Sequence, residues 1–338
     1  TDSNIGVRGG EVVIQSANLL TGNVTSPQKL MFAQAEKGEA AYDKQGNIVI
    51  SLTKDFNINA TGTVNVSGTG GRYRSRLLVM ATGGCSYPAT GSSGDGYGFA
   101  RILGHSISDI GPALSPVIIK DYPFSDLAGL SFSDLKISLY RRIKIKDHRG
   151  DILFTHDGLS GPGILDLSRY IRAGDLIKIS FIPEERRGEL EKWLVEKSQN
   201  DGGKKMTTAL AGMPLSLPPG LQLSVRLTKR LLQISGIASD LQLSQLTREM
   251  RNRLIDNLTG LSFVVSDVCG FNAAMCTRGG VLTTEVDPKT MQSRLVSGLY
   301  LVGEVLDIDG DTGGYNLQAA FSTGMLAARS IKSIFKPS

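Results

Sequence analysis

Two kinds of hydrophobic patterning divide the chain. Residues 1 to about 70 carry short runs in which apolar and polar positions alternate, at Glu11-Val12-Val13-Ile14, Ile48-Val49-Ile50, Phe56-Asn57-Ile58-Asn59 and Val64-Asn65-Val66. Gly, Asn and Thr break these runs, as in half-buried strands joined by turns. Lys29–Ala41 alone has a weak helical period, and Gly68-Thr69-Gly70-Gly71 reads as a hairpin turn because it follows a polar strand. From Arg76 the pattern changes. Leu77-Leu78-Val79-Met80-Ala81 is an unbroken apolar run, the mark of a strand covered on both faces in a parallel sheet, and it ends in Thr82-Gly83-Gly84. A helix is expected over Tyr97 to Leu103, with Ser92-Ser93-Gly94-Asp95-Gly96 ahead of it and Gly104 behind.

The middle, about 121–264, reads as a separate α+β lobe. Alternation at Leu135 to Leu139 and Ile143 to Ile145, with a turn at Asp147-His148-Arg149-Gly150, predicts a hairpin. A strand follows at Leu176 to Ile182, then a helix after Pro183 carrying Leu190, Trp193 and Leu194 on one face. Beyond a Pro- and Gly-rich joint at Met213 to Gly220 come helical patterns at Leu223 to Ile234 and Leu243 to Leu258. Residues 265–338 return to strand, glycine turn and helix. The last helix, about Tyr315 to Ile334, sets Leu317, Ala320, Phe321, Gly324, Ala328 and Ile331 at i, i+3, i+4 spacing, the stripe of a helix lying against a sheet. The outer segments, 71–120 and 265–338, then form one domain interrupted by the middle.

Composition narrows the class. At 41% hydrophobic and 20% charged residues, with apolar runs only strand-sized, the chain reads as a globular protein with no membrane partner. Its start, Thr-Asp-Ser-Asn-Ile-Gly, shows no cationic leader, so a cytoplasmic location is expected. The net charge of +5 is spread along the chain, with doublets only at Arg141-Arg142, Arg186-Arg187 and Lys204-Lys205, and predicts no nucleic-acid partner. Cys85, Cys269 and Cys276 form no CxxC pair and read as packed thiols, with neither disulfide nor metal site. Forty glycines among 338 residues exceed the usual ~7% without a period, so each is needed in a turn or beside a ligand.

The densest glycine region is Val302-Gly303-Glu304-Val305-Leu306-Asp307-Ile308-Asp309-Gly310-Asp311-Thr312-Gly313-Gly314-Tyr315-Asn316-Leu317. A buried strand there delivers a carboxylate-lined loop and two bare positions onto a helix N-terminus, whose N–H groups and partial positive charge suit an anion or a polarised carbonyl. A flat ring such as a flavin meets that demand. The carboxylates lack EF-hand spacing and suit ribityl or ribose hydroxyls better than calcium; a solvated capping loop is the other reading. His156, in a Thr-His-Asp-Gly turn, is a candidate proton donor or a turn histidine bonded to local backbone. Arg278 is a candidate anchor for a carboxylate or phosphate, or a surface arginine.

Four motifs in this order carry a family resemblance: Ala81-Thr82-Gly83-Gly84 continuing to Gly96, Phe154-Thr155-His156-Asp157-Gly158-Leu159-Ser160-Gly161-Pro162, Thr277-Arg278-Gly279-Gly280-Val281, and Gly303 to Gln318. Together they resemble a family of bacterial and archaeal flavoproteins that includes aminoacetone oxidase and the bile-acid dehydro-reductase BaiN. The resemblance covers about 71–334. It implies an α/β, glutathione-reductase-like FAD-binding domain with an inserted α+β lobe, NAD(P)H as reductant, and hydride transfer to a small organic substrate or dioxygen. Carried over by position, Ala81, Thr82, Gly83 and Gly84 border the adenosine and diphosphate side. Gly303, Glu304, Asp307, Gly310, Asp311, Thr312, Gly313, Gly314, Tyr315, Asn316 and Leu317 face the ribityl and ring. Family members begin with a strand, a GxGxxG turn and a helix that seat the diphosphate, and residues 1–70 hold none of these. Without those amides, charge-assisted bonds of ~1.5–3 kcal/mol each are lost. A second chain completing the lobe, or a non-catalytic interaction module, is the corresponding alternative.

Overall fold

The computed structural model describes residues 77–213 and 223–334 in full and, within residues 1–76, the backbone of eight strands. β1 (Ser3–Arg8), β2 (Glu11–Asn18) and β3 (Asn23–Met31) form one antiparallel sheet. β4 (Gly38–Tyr42), β5 (Ile48–Leu52), β6 (Phe56–Ala60), β7 (Val64–Gly68) and β8 (Gly71–Ser75) form a second, in sequence order. The four alternating runs fall in β2, β5, β6 and β7. The helical period at Lys29–Ala41 is not realised where it is described, since β3 and β4 take both of its ends and pairing with neighbours overrides a weak local preference; residues 32–37 lie outside the described residues. Gly68 pairs with Gly71 across a hairpin whose two turn residues are likewise outside them. So is most of the expected joint after Met213.

Two compact units follow from the contacts, residues 1–113 with 270–338, and Leu114–Cys269. In the first, β9 (Leu78–Met80) pairs in parallel with β18 (Leu299–Leu301), Val79 opposite Tyr300. All three residues of β18 are buried, as the unbroken apolar run requires. α1 (Asp95–Ile102) buries Tyr97, Phe99 and Ala100. β10 (Gly111–Ala113) pairs with β17 (Cys276–Arg278). The terminal helix, here α7, spans Tyr315–Ile334 as expected, but only part of its apolar stripe reaches the core, through Ile331. Leu317 and Phe321 are 65% and 73% exposed, and the helix buries Thr323 and Ala327 instead. Among the described residues the parallel sheet has two strands, roughly 10 Å across, against about 30 Å of helix.

The second unit is a closed antiparallel barrel. Its strands, β11 (Val117–Ile119), β14 (Gly158–Ser160), β13 (Ile143–Phe154), β12 (Ser131–Arg141), β15 (Leu176–Ser180) and β16 (Leu261–Val268), are neighbours in that order. Phe124, Phe132, Phe154, Phe181 and Phe263 fill it, ring centroids 5.4–6.3 Å apart. α2 (Pro162–Leu167), α3 (Arg187–Asn200), α4 (Met206–Ala211), α5 (Val225–Ile234) and α6 (Arg248–Gly260) complete the unit. Ser224 and Thr247 cap α5 and α6 by accepting N–H groups three residues on. The expected hairpin is present, but it turns at Arg142, and Asp147–Gly150 lies inside β13. Gly150 is bare because Gly163 of α2 would sit 2.7 Å from any Cβ, so this glycine marks a close backbone approach. No described helix is long and apolar enough to cross a membrane.

Candidate functional site

The site motifs of the first unit converge on Thr277 of β17. The turn after β9 brings Gly84 against it, and a Cβ on Gly84 would collide with the Thr277 hydroxyl and stand 2.6 Å from Glu304 Oε1. The Thr277 hydroxyl accepts the Cys85 N–H at 2.8 Å and lies 3.1 Å from Ser86 Oγ. The Thr277 N–H donates to Glu304 Oε1 at 2.6 Å. Tyr97 of α1 adds a bond from its hydroxyl to the Glu304 carbonyl, 3.2 Å. Three segments far apart in sequence are thus tied behind the Ala81–Gly84 turn, where Thr82 is buried and its hydroxyl has no partner among the described residues.

Burial pushes the Glu304 carboxyl above its ordinary value, the Thr277 bonds opposing. It raises the Cys85 thiol too, with Glu304 and Asp95 adding to the effect, and the Tyr97 phenol is raised for the same leading reason. The knot is therefore poor in positive charge, and Cys85 is a protonated thiol at neutral pH.

Gly303 leads from β18 into the acidic loop and donates its N–H to Thr323 of α7 at 3.0 Å. Asn316 closes that loop: its Oδ1 accepts the Gly310 N–H at 2.7 Å and its Nδ2 donates to the Gly310 carbonyl at 3.1 Å. Between these staples Asp311, Thr312, Gly313 and Gly314 round a turn, Asp307 lies half-buried ahead of it, and Tyr315 and Leu317 are exposed beyond it. Gly313 and Gly314 have φ of 117° and 89°, and nothing lies within 4 Å of a Cβ built on Gly314. The first bond of α7 runs from the Gln318 N–H to the Gly314 carbonyl, so the preceding N–H groups point out of the helix end. The backbone is therefore open at Gly314, while the Tyr315 ring lies against Gly313, 3.3 Å from where its Cβ would stand.

Arg278 lies against Gly111 of β10 and pairs with Asp109 at 3.1 Å. His156 is on the other unit, exposed in the turn between β13 and β14, where Thr155 bonds to Asp157 and accepts the Gly158 N–H. The structure therefore groups Gly84, Glu304 and the loop to Leu317 in one unit, and sets His156 on a separate one. Thr277 and Tyr97, which tie the site together, were not singled out from sequence. Their only signals were the opening position of the Thr277-Arg278-Gly279-Gly280-Val281 motif and a place in the first turn of a glycine-flanked helix. Among the described residues no group of three or more His, Cys, Asp or Glu side chains is placed to hold a metal.

Residues 40–330 match the Rossmann domain of HI0933-like proteins. The chain belongs to the HI0933-like family. It is 33% identical over 281 residues to a 3-dehydro-bile acid Δ(4,6)-reductase of Clostridium scindens, covering 80% of this chain and 66% of that one. It is 32% identical over 306 residues to a ribosomal RNA dihydrouridine synthase of Escherichia coli, covering 89% and 70%. An enzyme of the same name from Haemophilus influenzae is 29% identical over 263 residues, covering 77% and 61%. The chain thus spans about two thirds of the length of the curated relatives it matches. The resemblance expected from the motifs holds, and the HI0933-like chain is a Rossmann-type α/β member of a family of flavin-type oxidoreductases.

Proposed function

We propose that this chain supplies the ring side of an FAD-dependent oxidoreductase of glutathione-reductase-like architecture, with residues 114–269 as an inserted lobe. NAD(P)H is the reductant, and the acceptor is a small organic molecule with a carbon–carbon double bond conjugated to a carbonyl. The single observation that carries the reading is the open position of Gly314 at the start of α7, where a flat ring can lie against backbone once the Tyr315 ring, 3.3 Å from where a Cβ on Gly313 would stand, turns aside. The residues present fit that end of the cofactor. A bound flavin supplies two-electron hydride chemistry. The α7 terminus favours negative charge developing beside it by ~0.3–2 kcal/mol. Asp307 and Asp311 would accept ribityl or ribose hydroxyls. The buried Thr82 hydroxyl gains a partner from the diphosphate side, and Glu304 acts through Thr277 by fixing the Ala81–Gly84 turn.

The acceptor class rests on what two relatives' names share. Those names are 3-dehydro-bile acid Δ(4,6)-reductase and ribosomal RNA dihydrouridine synthase, and both suggest reduction of an unsaturated ring. His156 is the proposed proton donor. Arg278 is the proposed anion holder, since its partly exposed pair with Asp109 costs little to exchange. The exposed flank of α7, Leu317, Phe321 and Met325, favours a second polypeptide that completes the diphosphate lobe over a purely non-catalytic module.

The test is a titration of the purified chain with FAD, followed by visible absorbance. A bound band near about 450 nm, bleached anaerobically by NADPH, is expected. Gly314→Val should abolish occupancy. A folded chain that ignores FAD overturns the reading that this chain holds the ring by itself, and unchanged occupancy in Gly314→Val overturns the placement of the ring.

A further inference from the structure

We infer that the end of the barrel where β12 turns into β13 docks on an anionic lipid surface. Ile143 and Ile145 would enter the headgroup layer, with Arg142, Lys146 and Arg172 among the lipid phosphates. The inference goes beyond the flavin reading and stands without it. The expectation of no membrane partner rested on apolar runs too short to span a bilayer, which leaves docking on its surface open.

The exposed apolar side chains are what call for an occupant. Ile143 follows the reversal at Arg142 directly and is 73% exposed, and no large apolar side chain among the described residues is more so. Ile145 is 41% exposed. Leu139 pairs with Lys146 and Tyr140 with Lys144, so Ile145 is the extra residue of a bulge, a device that re-aims a side chain. Tyr170 lies beside them: Lys146 Nζ stands 4.1 Å from its ring centroid, and Arg141 donates to its carbonyl at 2.9 Å. Its ring is part of the same exposed patch, and a phenol suits the boundary between headgroups and hydrocarbon.

The charge around this patch is largely of one sign. Residues 139–147 and 169–178, which these contacts join, hold seven basic side chains against two carboxylates. Both carboxylates are engaged. Asp175 is buried and accepts two bonds from Arg141, each of 2.7 Å. Asp147 accepts from Ser138 at 2.6 Å and from Lys144 at 3.0 Å. Among the described residues no carboxylate pairs with Arg142, Lys146 or Arg172, and the two arginines are exposed. Each such cation adds attraction to an anionic surface, over a range set by the Debye length.

Two other readings explain part of this. β14 pairs only with Leu153 and Phe154, so among the described residues β12 is the sole strand beside the turn end of β13. Lysines guard such an edge against pairing with another chain. A guarded edge, however, has no use for a bare isoleucine at its end. A polynucleotide would engage the cations, but its bases stack on rings rather than on aliphatic side chains. A bilayer uses both features, because apolar area buried at the headgroup boundary adds to the attraction of the basic rim.

The full chain, without flavin, is sedimented with vesicles of about 30% phosphatidylglycerol in phosphatidylcholine, and with phosphatidylcholine alone, at about 50 and 200 mM salt. Binding about tenfold stronger to the anionic vesicles, and weakened by salt, is expected. Ile143→Thr with Ile145→Thr, which keeps the branching that strands favour, should weaken it about tenfold at an unchanged salt dependence. Arg142→Gln with Lys146→Gln should weaken it about tenfold and flatten that dependence. Lys289→Gln, on the other unit, should stay within twofold. Ile143→Trp should gain a blue-shifted emission on the anionic vesicles that the parent chain, with Trp193 alone, does not show. That readout decides the matter if circular dichroism shows a double variant disturbed. No binding at low salt, equal binding to phosphatidylcholine alone, an Ile143→Thr, Ile145→Thr chain that binds within twofold, an unshifted Ile143→Trp emission, or displacement of the vesicles by an oligonucleotide would each overturn the inference. Because no flavin is present, its failure leaves the FAD titration to be judged separately.

Discussion

The two units hold themselves together in different ways. The barrel closes on itself, so each of its strands has a neighbour on both sides, and five phenylalanine rings fill it. Leu190, Leu194, Leu227, Leu231, Leu254 and Leu258 extend that core into the surrounding helices. The first unit pairs two short parallel strands, and α7 buries two of its 20 residues. Polar knots do more there: Thr277 with Glu304, Gly303 with Thr323, and His105 with Glu285 and Ser293. A cradle for a planar ligand must leave backbone bare and one side open, and both conditions remove apolar cover. On the flavin reading, the first unit gives up at its cradle the apolar cover that the barrel keeps throughout.

The largest expected effect tests this contrast directly. Phe154 is wholly buried against Phe124, Phe132 and Phe263, so Phe154→Ala should cost ~3–5 kcal/mol. Trp193, the single tryptophan, lies on α3 of the same unit, and its fluorescence should report the loss as a lower urea midpoint. Phe321→Ala on α7 should change stability by no more than ~0.5 kcal/mol. A comparable loss from Phe321→Ala would mean that α7 is covered in solution, and the contrast would fall.

Within the first unit, two glycines separate scaffold from cradle. A side chain at Gly84 meets the Thr277 hydroxyl and the Glu304 carboxylate, so Gly84→Ala should destabilise by ~1–3 kcal/mol through overpacking and loss of the knot. At Gly314 there is open space, and only the positive φ opposes a side chain, so Gly314→Ala should cost ~1–2 kcal/mol. Far-ultraviolet dichroism in urea gives both stabilities and FAD titration gives the affinity. Gly314→Ala should show the larger loss of affinity relative to its loss of stability. The reverse order would make Gly84 the contact and Gly314 a mere turn.

What was legible in the sequence follows the same division. The paired strands at Leu78–Met80 and Leu299–Leu301 showed themselves as unbroken apolar runs, and Gly313-Gly314 announced the start of α7. Closure of the barrel did not show, because β11 and β14 are three residues each and their pairing is non-local. Asp147 and Gly150 imitated a turn because glycine serves close approach as readily as reversal. The carboxylates and glycines of the site stood out as motifs. Thr277 stood in a motif too, but its bonding role did not show, since a threonine inside a three-residue strand has no periodic signature and its partners Glu304 and Cys85 are 27 and 192 residues away.

The smallest effect concerns pH and sharpens the contrast furthest. Ser293 Oγ accepts N–H bonds from Leu295 and Val296, at 3.1 and 2.9 Å, so its own proton goes to His105 Nε2, 2.8 Å away. His105 Nδ1 then carries the remaining proton and donates it to Glu285 at 2.9 Å, which fixes a neutral imidazole. Burial holds His105 below its ordinary value, against the pull of Glu285. Burial works the other way on Glu285, but bonds from Ser106 and His105 outweigh it and hold that carboxyl low. Both groups bind fewer protons folded than unfolded. Their stability is therefore fully present above the unfolded values, about 6.5 for His and 4.3 for Glu, and is lost as pH falls through the lower folded ones. As pH falls from 8 through the ordinary histidine range the first unit should therefore lose stability. The far-ultraviolet transition should move to lower urea while the Trp193 transition stays in place. His105→Gln should lower stability at pH 8 and flatten the acid response. A Trp193 transition that moved in step with the dichroism would show that the two units unfold as one, and a dichroism midpoint that rose on acidification would mean the imidazole is charged in the folded chain.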